Sequence, residues 1–148
     1  MAVLEVGPMP FSKRIHADGS PNPTPSALLG KSILIVEDEP LVALGVHSAL
    51  SAAGASIISA GTAAEAGKLI GFAEISAAIV DVQLGSEDAT QVCDQLARRQ
   101  IPFVFYTGRA DRTFLLAGWP DVKVLSKPAT SQLIVSTLAS LLRKPERY

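Results

Sequence analysis

The chain has 148 residues and a formal net charge of −1, and hydrophobic residues make up 48% of the sequence. This length fits one domain of ordinary size, and the apolar fraction is sufficient to build a core. The near-zero net charge argues against a nucleic-acid-binding protein, which would usually carry a basic surplus. The single cysteine, Cys93, excludes both an intramolecular disulfide and a cysteine zinc site.

The start of the sequence contains no pattern typical of a targeting signal, and no part of the sequence contains one typical of a membrane span. The first five residues lack a basic stretch, and no segment approaches the roughly 18 apolar residues of a membrane span. We therefore expect a soluble, cytoplasmic protein that does not enter a membrane.

The first thirty residues differ in composition from the rest of the chain. Five of the ten prolines lie there, namely Pro8, Pro10, Pro21, Pro23 and Pro25. Residues 1–30 are predicted to form a weakly ordered arm, although their scattered apolar residues leave open that the arm docks in a groove. A folded domain is predicted over 31–144, followed by a short tail over 145–148.

From Lys31 onwards, short apolar runs alternate with helical patterns. The predicted strands cover 33–36, 56–60, 77–80, 103–106 and 122–125. Helices are predicted after each of the first three strands and at the end of the chain, whereas the helical pattern over 109–118 is weak. Such alternation is typical of an α/β fold with a doubly wound, five-stranded parallel sheet, here in the order 2-1-3-4-5.

Local signals mark the ends of two of these helices. Pro40 is predicted at the start of the first helix, which Gly54 ends. Thr62 and Glu65 have the spacing of a capping box at the start of the second helix.

Polar residues follow four of the five predicted strands. The first strand is followed by 37–39, which reads Glu-Asp-Glu, and the others are followed by Asp81, Thr107 and Lys127. Because the carboxyl ends of parallel strands meet at one edge of the sheet, we expect these groups to converge. Each group alone has an ordinary explanation as a helix-end acid, a turn residue or a solvated lysine.

Together, however, these residue types have the chemistry of a phosphoryl-accepting site. Crowded carboxylates need a compensating cation, and Mg²⁺ prefers such oxygen ligands. Lys127 can neutralise a phosphoryl oxygen, and the Asp81 carboxylate can act as a nucleophile that forms an aspartyl phosphate. The joint occurrence favours this function over four unrelated surface roles.

The motifs over 33–40, 78–81, 103–108 and 124–128 resemble those of the receiver domain of two-component response regulators. The resemblance covers roughly 31–144. Within the family, the sequence is similar to a group of stand-alone receivers whose fourth strand ends in Phe-Ala-Thr-Gly. It implies the flavodoxin-like receiver fold. It also implies a phosphorelay signalling protein that is charged by a sensor histidine kinase or a histidine phosphotransfer protein.

The resemblance assigns roles to the acidic residues by position. Asp81 is implied as the phosphoacceptor and as a ligand to Mg²⁺. Asp38 is implied to bind the metal directly, Glu37 through water, and Gln83 through its backbone carbonyl. Thr107 is implied to move towards the bound phosphoryl group.

The resemblance also implies a role for the lysine after the fifth strand, and the chain departs from the family pattern at two positions. Lys127 is implied to pair with the phosphoryl group and to precede a cis peptide bond to Pro128. Val124 occupies a position where many receivers carry an aromatic switch residue. Tyr106 stands where the subgroup has alanine.

Three alternative functions have less support in the sequence. An aspartyl-phosphate phosphatase of the haloacid dehalogenase type needs a general acid two residues after its nucleophile, where this chain has Gln83. A pseudo-receiver that binds partners without phosphorylation stays open, and a small-molecule binder lacks support because no glycine-rich nucleotide loop is present. We expect no enzymatic activity beyond self-phosphorylation and self-dephosphorylation, output through protein contacts or phosphorelay, and a monomer or weak homodimer.

Overall fold

The computed structural model of the chain describes residues 26–84, 87–108 and 118–143. Its strands are β1 (Ser32–Val36), β2 (Ser56–Ala60), β3 (Ala77–Val80), β4 (Gln83–Leu84), β5 (Glu87–Asp88), β6 (Phe103–Thr107) and β7 (Val124–Ser126). Its helices are α1 (Pro40–Ala52), α2 (Ala63–Phe72), α3 (Thr90–Arg98) and α4 (Ser131–Leu142). Within these residues, no helix has the length and apolar character needed to cross a bilayer.

Five strands form one parallel sheet in the order β2-β1-β3-β6-β7. Counted along these five strands, this is the predicted order 2-1-3-4-5, so the predicted fold class is confirmed. The register aligns Val36 of β1 with Val80 of β3, and Thr107 of β6 with Ser126 of β7. These strands therefore end at the same edge of the sheet.

Both faces of the sheet are covered by helices, which explains the unbroken apolar sequence of β1. Leu34 and Val36 pack in a cluster with α2 and α3, whereas Ile33 and Ile35 pack in a cluster with α1 and α4. Alternate residues of a strand point to opposite faces, so a strand buried on both sides must be apolar throughout. The central strand β3 is likewise buried along its whole length.

The helix ends follow the signals in the sequence. Pro40 occupies the first turn of α1, and Gly54, just beyond the helix, has a φ of 96°, which favours glycine. Thr62 Oγ1 accepts a hydrogen bond from the Glu65 N–H at 3.1 Å. The Glu65 carboxylate reaches back to the N–H of Gly61 at 2.9 Å, one residue before the usual partner in a capping box.

The fifth strand of the sheet begins two residues later than the sequence predicts. Val122 belongs to a turn, in which its N–H donates to the carbonyl of Trp119. The hydrogen-bond ladder between this strand and β6 begins at Lys123, whose carbonyl accepts a hydrogen bond from the N–H of Phe105. The apolar character of Val122 instead reflects packing against the core, where Trp119 also contacts Phe103 edge to face at 5.5 Å.

The antiparallel pair β4–β5 lies directly after β3 and was not predicted. Strands of two residues are too short to produce an alternating pattern. Because this pair begins at Gln83, it places that residue immediately beside the end of β3.

Part of the segment predicted as a weakly ordered arm packs on the folded domain. Residues 26–30 form a turn, and the N–H of Leu28 donates to the carbonyl of Ala53 at 2.9 Å. The Leu28 side chain is 0% exposed and joins the core beside α1. The remaining arm over 1–25, the weak helical pattern over 109–117 and the tail over 145–148 lie outside the described residues.

Candidate functional site

Backbone hydrogen bonds extend the sheet one residue beyond the strands and thereby fix the polar residues at its edge. The Glu37 N–H donates to the carbonyl of Ala60 at 3.0 Å, and the Asp81 N–H donates to that of Val36 at 2.9 Å. The Lys127 N–H donates to the carbonyl of Thr107 at 2.9 Å. The backbone positions of these three residues are therefore fixed by the sheet.

Four carboxylates meet at this edge. The side chains of Glu37, Asp38, Glu39 and Asp81 each place an oxygen within 4.8 Å of the others. Glu37 and Asp81 are buried, at 6% and 4% exposure, whereas the other two are exposed. An all-oxygen set with two exposed members suits a hard divalent cation that retains water ligands.

Two backbone N–H groups orient the buried carboxylates. The N–H of Glu39 donates to Glu37 Oε1 at 3.2 Å, and the N–H of Gln83 donates to Asp81 Oδ1 at 3.0 Å. Each buried carboxylate thus keeps its second oxygen for another partner.

Lys127 supplies that partner to both carboxylates. Its Nζ lies 2.7 Å from Glu37 Oε2 and 2.9 Å from Asp81 Oδ2. The lysine side chain is itself only 14% exposed. A cation shared between two buried anions offsets their mutual repulsion, and its removal would leave both charges uncompensated.

The pKa values of the bridged groups reflect this environment. Burial is the largest influence on Glu37 and raises the pKa of its carboxyl to about 7, although the hydrogen bond from Lys127 acts in the opposite direction. Burial lowers the pKa of the Lys127 ammonium, but the hydrogen bonds to Glu37 and Asp81 outweigh it, so this pKa lies above its usual value. The lysine therefore stays charged throughout the physiological range.

Thr107 lies at the end of β6 beside this cluster. Its side chain is buried, and among the residues that the structure describes its Oγ1 has no hydrogen-bond partner. A buried hydroxyl without a partner is uncommon in folded proteins, so its position at the end of β6 calls for an explanation.

The structure brings together most of the residues that the sequence singled out. Glu37, Asp38 and Asp81 share one cluster, and Lys127 joins two of them. Gln83 contacts the cluster through its backbone N–H, which donates to Asp81. The predicted cis peptide bond between Lys127 and Pro128 is also present.

Sequence reasoning assigned no role in the site to two residues at this edge. Glu39 was expected to converge there with the other polar residues, but it was not among the predicted metal ligands, whereas the structure places its carboxylate in the same cluster. Tyr106 was noted only as a departure from a family pattern. Its phenol oxygen accepts a hydrogen bond from the N–H of Ala129 at 3.2 Å, a contact for which the sequence contains no signal.

Comparison with known proteins defines the class to which this fold and this edge belong. The family model described as "Response regulator receiver domain" matches residues 33–139, well over half of the chain. The chain therefore belongs to the response regulator receiver domain family. Receiver domains are generally non-enzymatic signalling modules that interact with histidine kinases or phosphotransfer proteins.

Solved structures agree with this assignment. A response regulator receiver protein from Sinorhizobium medicae WSM419 is 28% identical, with a TM-score of 0.65 over 76% of this chain and 97% of that chain. A CheY-like receiver domain protein from Methanospirillum hungatei JF-1 shares the fold at 23% identity, with a TM-score of 0.69 over 76% and 93% of the two chains.

The response regulator PhyR from Brucella abortus also shares the fold, at 24% identity and a TM-score of 0.68. The match covers 79% of this chain and 49% of PhyR. No curated protein sequence matches the chain.

Proposed function

We propose that Asp81 accepts a phosphoryl group from a phosphohistidine of a sensor histidine kinase or a histidine phosphotransfer protein. The reaction depends on Mg²⁺, and the receiver domain then signals through protein contacts or by passing the phosphoryl group onward. The observation that carries this proposal is the position of Lys127, whose Nζ lies 2.9 Å from Oδ2 of Asp81, a member of the carboxylate cluster.

The residues around Asp81 fit a magnesium ion. Asp38 and Asp81 would bind it directly, the backbone carbonyl of Gln83 would complete the protein ligands, and Glu37 would act through a water molecule. When bound, Mg²⁺ neutralises negative charge on the phosphoryl oxygens during transfer. The exposed side of the cluster leaves room for the waters that this ion retains.

The remaining residues have distinct roles in the transfer. A carboxylate oxygen of Asp81 attacks phosphorus, the new O–P bond forms, and the P–N bond to the donor imidazole breaks with its electron pair passing to nitrogen. The Lys127 ammonium, already beside Asp81, pairs with a phosphoryl oxygen. The Thr107 hydroxyl donates to another phosphoryl oxygen, which gives this buried group a partner.

Phosphorylation by a small donor tests this proposal. The full chain is incubated with acetyl phosphate and either Mg²⁺ or EDTA, and its intact mass is recorded. We expect a gain of one phosphoryl group with Mg²⁺ only, and its removal by hydroxylamine, which cleaves acyl phosphates. The absence of an adduct at every Mg²⁺ concentration would instead favour the pseudo-receiver alternative.

The raised pKa of Glu37 predicts that Mg²⁺ binding depends on pH. Below pH 7 this carboxyl is largely protonated, so metal binding must release a proton, whereas above pH 7 it is already ionised. We expect the Kd for Mg²⁺, measured by calorimetry, to rise about tenfold from pH 8 to pH 6. Glu37→Gln should weaken binding at pH 8 but remove this dependence, and the same dependence in wild type and Glu37→Gln would contradict the assignment.

A further inference from the structure

The aromatic residue beside Thr107 has a further role. We propose that Tyr106 is a positioning residue for Lys127, because its phenol oxygen anchors the segment that carries the lysine. The ammonium group is thereby held between the two buried carboxylates. The consequence for phosphorylation rests on the proposed function, whereas the consequence for the position of the lysine does not.

The anchoring follows from the hydrogen bonds of the segment 127–129, which connects β7 to the N-cap of α4. This segment has two N–H donors, since Pro128 has none. The N–H of Lys127 donates to the backbone of Thr107 at 2.9 Å, and the N–H of Ala129 donates to the phenol oxygen of Tyr106 at 3.2 Å. Both partners lie on β6, but only the second depends on the identity of a side chain.

The Tyr106 side chain is fixed from several directions. It is 6% exposed and belongs to the core cluster that contains Leu125, Ile134 and Val135, with Ala129 packed against that cluster. A ring held in a packed core keeps its hydroxyl in one place without further loss of conformational entropy. The phenol oxygen is therefore a rigid acceptor for the N–H of Ala129.

The same ring also contacts the lysine itself. Lys127 Nζ lies 5.6 Å from the centroid of the Tyr106 ring, within the range of a cation–π interaction. Tyr106 thus touches the lysine-bearing segment at both ends, through its hydroxyl at Ala129 and through its ring at the ammonium group. Alanine, which the similar subgroup has at this position, would supply neither contact.

The alternative is that Tyr106 only fills the core. Substitution of a residue with that role would change the stability of the fold, but it would leave the environment of Lys127 and the rate of phosphorylation unchanged. Tyr106→Phe separates the two roles, because it retains the ring and its packing and removes only the acceptor for the Ala129 N–H. Thr137→Val is a matched control, since it removes another buried hydroxyl, on α4, that has no hydrogen-bond partner in the described part of the chain.

The experiment combines two readouts on the full chain. NMR of the unphosphorylated, metal-free protein gives the exchange rate of the Ala129 amide and the Nζ signal of Lys127. Intact mass after addition of acetyl phosphate and Mg²⁺ gives the phosphorylation rate, and calorimetry gives the Kd for Mg²⁺.

In Tyr106→Phe we expect amide exchange at Ala129 to be about fivefold faster and phosphorylation to be slower by a similar factor, as for the loss of one hydrogen bond. We expect a shifted Lys127 Nζ signal, a Kd for Mg²⁺ within about twofold of wild type, and no such changes in Thr137→Val. An unchanged Lys127 signal together with a wild-type rate would overturn the proposal. If the wild-type protein forms no adduct, the proposed function fails, and the Lys127 signal alone decides the positioning role.

Discussion

Asp81→Asn should abolish formation of the phosphoryl adduct while leaving the protein folded. An amide oxygen is a poor nucleophile, so the bond to phosphorus cannot form. The fold should persist because Asn is similar in size to Asp and Lys127 keeps its contact with Glu37 Oε2 at 2.7 Å. We expect complete loss of the adduct and a change of at most about 1 kcal/mol in the free energy of unfolding without metal.

Intact mass spectrometry and chemical denaturation measure these two quantities. Asp121→Asn is the control, because Asp121 is an exposed aspartate in the turn before β7 and should behave as wild type in both assays. An adduct that survives in Asp81→Asn would place the acceptor on another residue.

Lys127→Ala should separate metal binding from phosphorylation. The substitution leaves the buried carboxylates of Glu37 and Asp81 without their shared cation. Breaking a buried ion pair typically costs about 3–5 kcal/mol when the remaining charge stays ionised, and the metal-free protein should lose at most this much stability, because the Glu37 carboxyl can take up a proton. Mg²⁺ should still bind, since its proposed ligands remain, and it should restore part of the lost stability.

Phosphorylation of Lys127→Ala should nevertheless be severely impaired. The lysine supplies positive charge where charge develops in the transition state, and loss of one such group commonly lowers the rate about a hundredfold. Lys123→Ala, which removes an exposed lysine next to β7, should retain the wild-type rate and stability. Loss of Mg²⁺ binding in Lys127→Ala, or an unchanged rate of phosphorylation, would show that the role assigned to this lysine is wrong.

Much of the fold could be predicted because the sequence pattern records burial on both faces of a parallel sheet. The run Ile33 to Val36 is apolar throughout, and the helices show the matching periodicity. Leu28 could not be predicted as a core residue, since two adjacent leucines in an irregular segment have no period. The late start of β7 escaped prediction because Val122 is apolar for packing in a turn rather than for a strand.

The site was predictable to the extent that backbone topology defines it. Asp81 and Lys127 follow strands that end at one edge of the sheet, so their proximity follows from strand order alone. Which atoms pair is a property of side-chain packing, and neither the double contact of Lys127 nor the bond from Ala129 to Tyr106 has a local sequence signal.

Val124 and Tyr106 both depart from the pattern of the family that the sequence resembles. Val124 pairs with Phe105 in the sheet and is half-buried. Because this residue is a valine, no aromatic ring stands at the position where many receivers carry one. The aromatic ring nearest to Lys127 on β6 is instead that of Tyr106, which is buried and hydrogen-bonded. In this chain the aromatic group near the lysine is thus a fixed part of the core.

Reductive trapping tests the central claim most directly. Borohydride reduces an aspartyl phosphate to homoserine, which is stable and can be located by peptide mapping. After treatment with acetyl phosphate and Mg²⁺, the phosphorylated protein should carry homoserine at position 81 and at no other aspartate. Homoserine at Asp38 instead, or phosphorylated protein that yields none, would contradict the assignment of Asp81 as the phosphoacceptor.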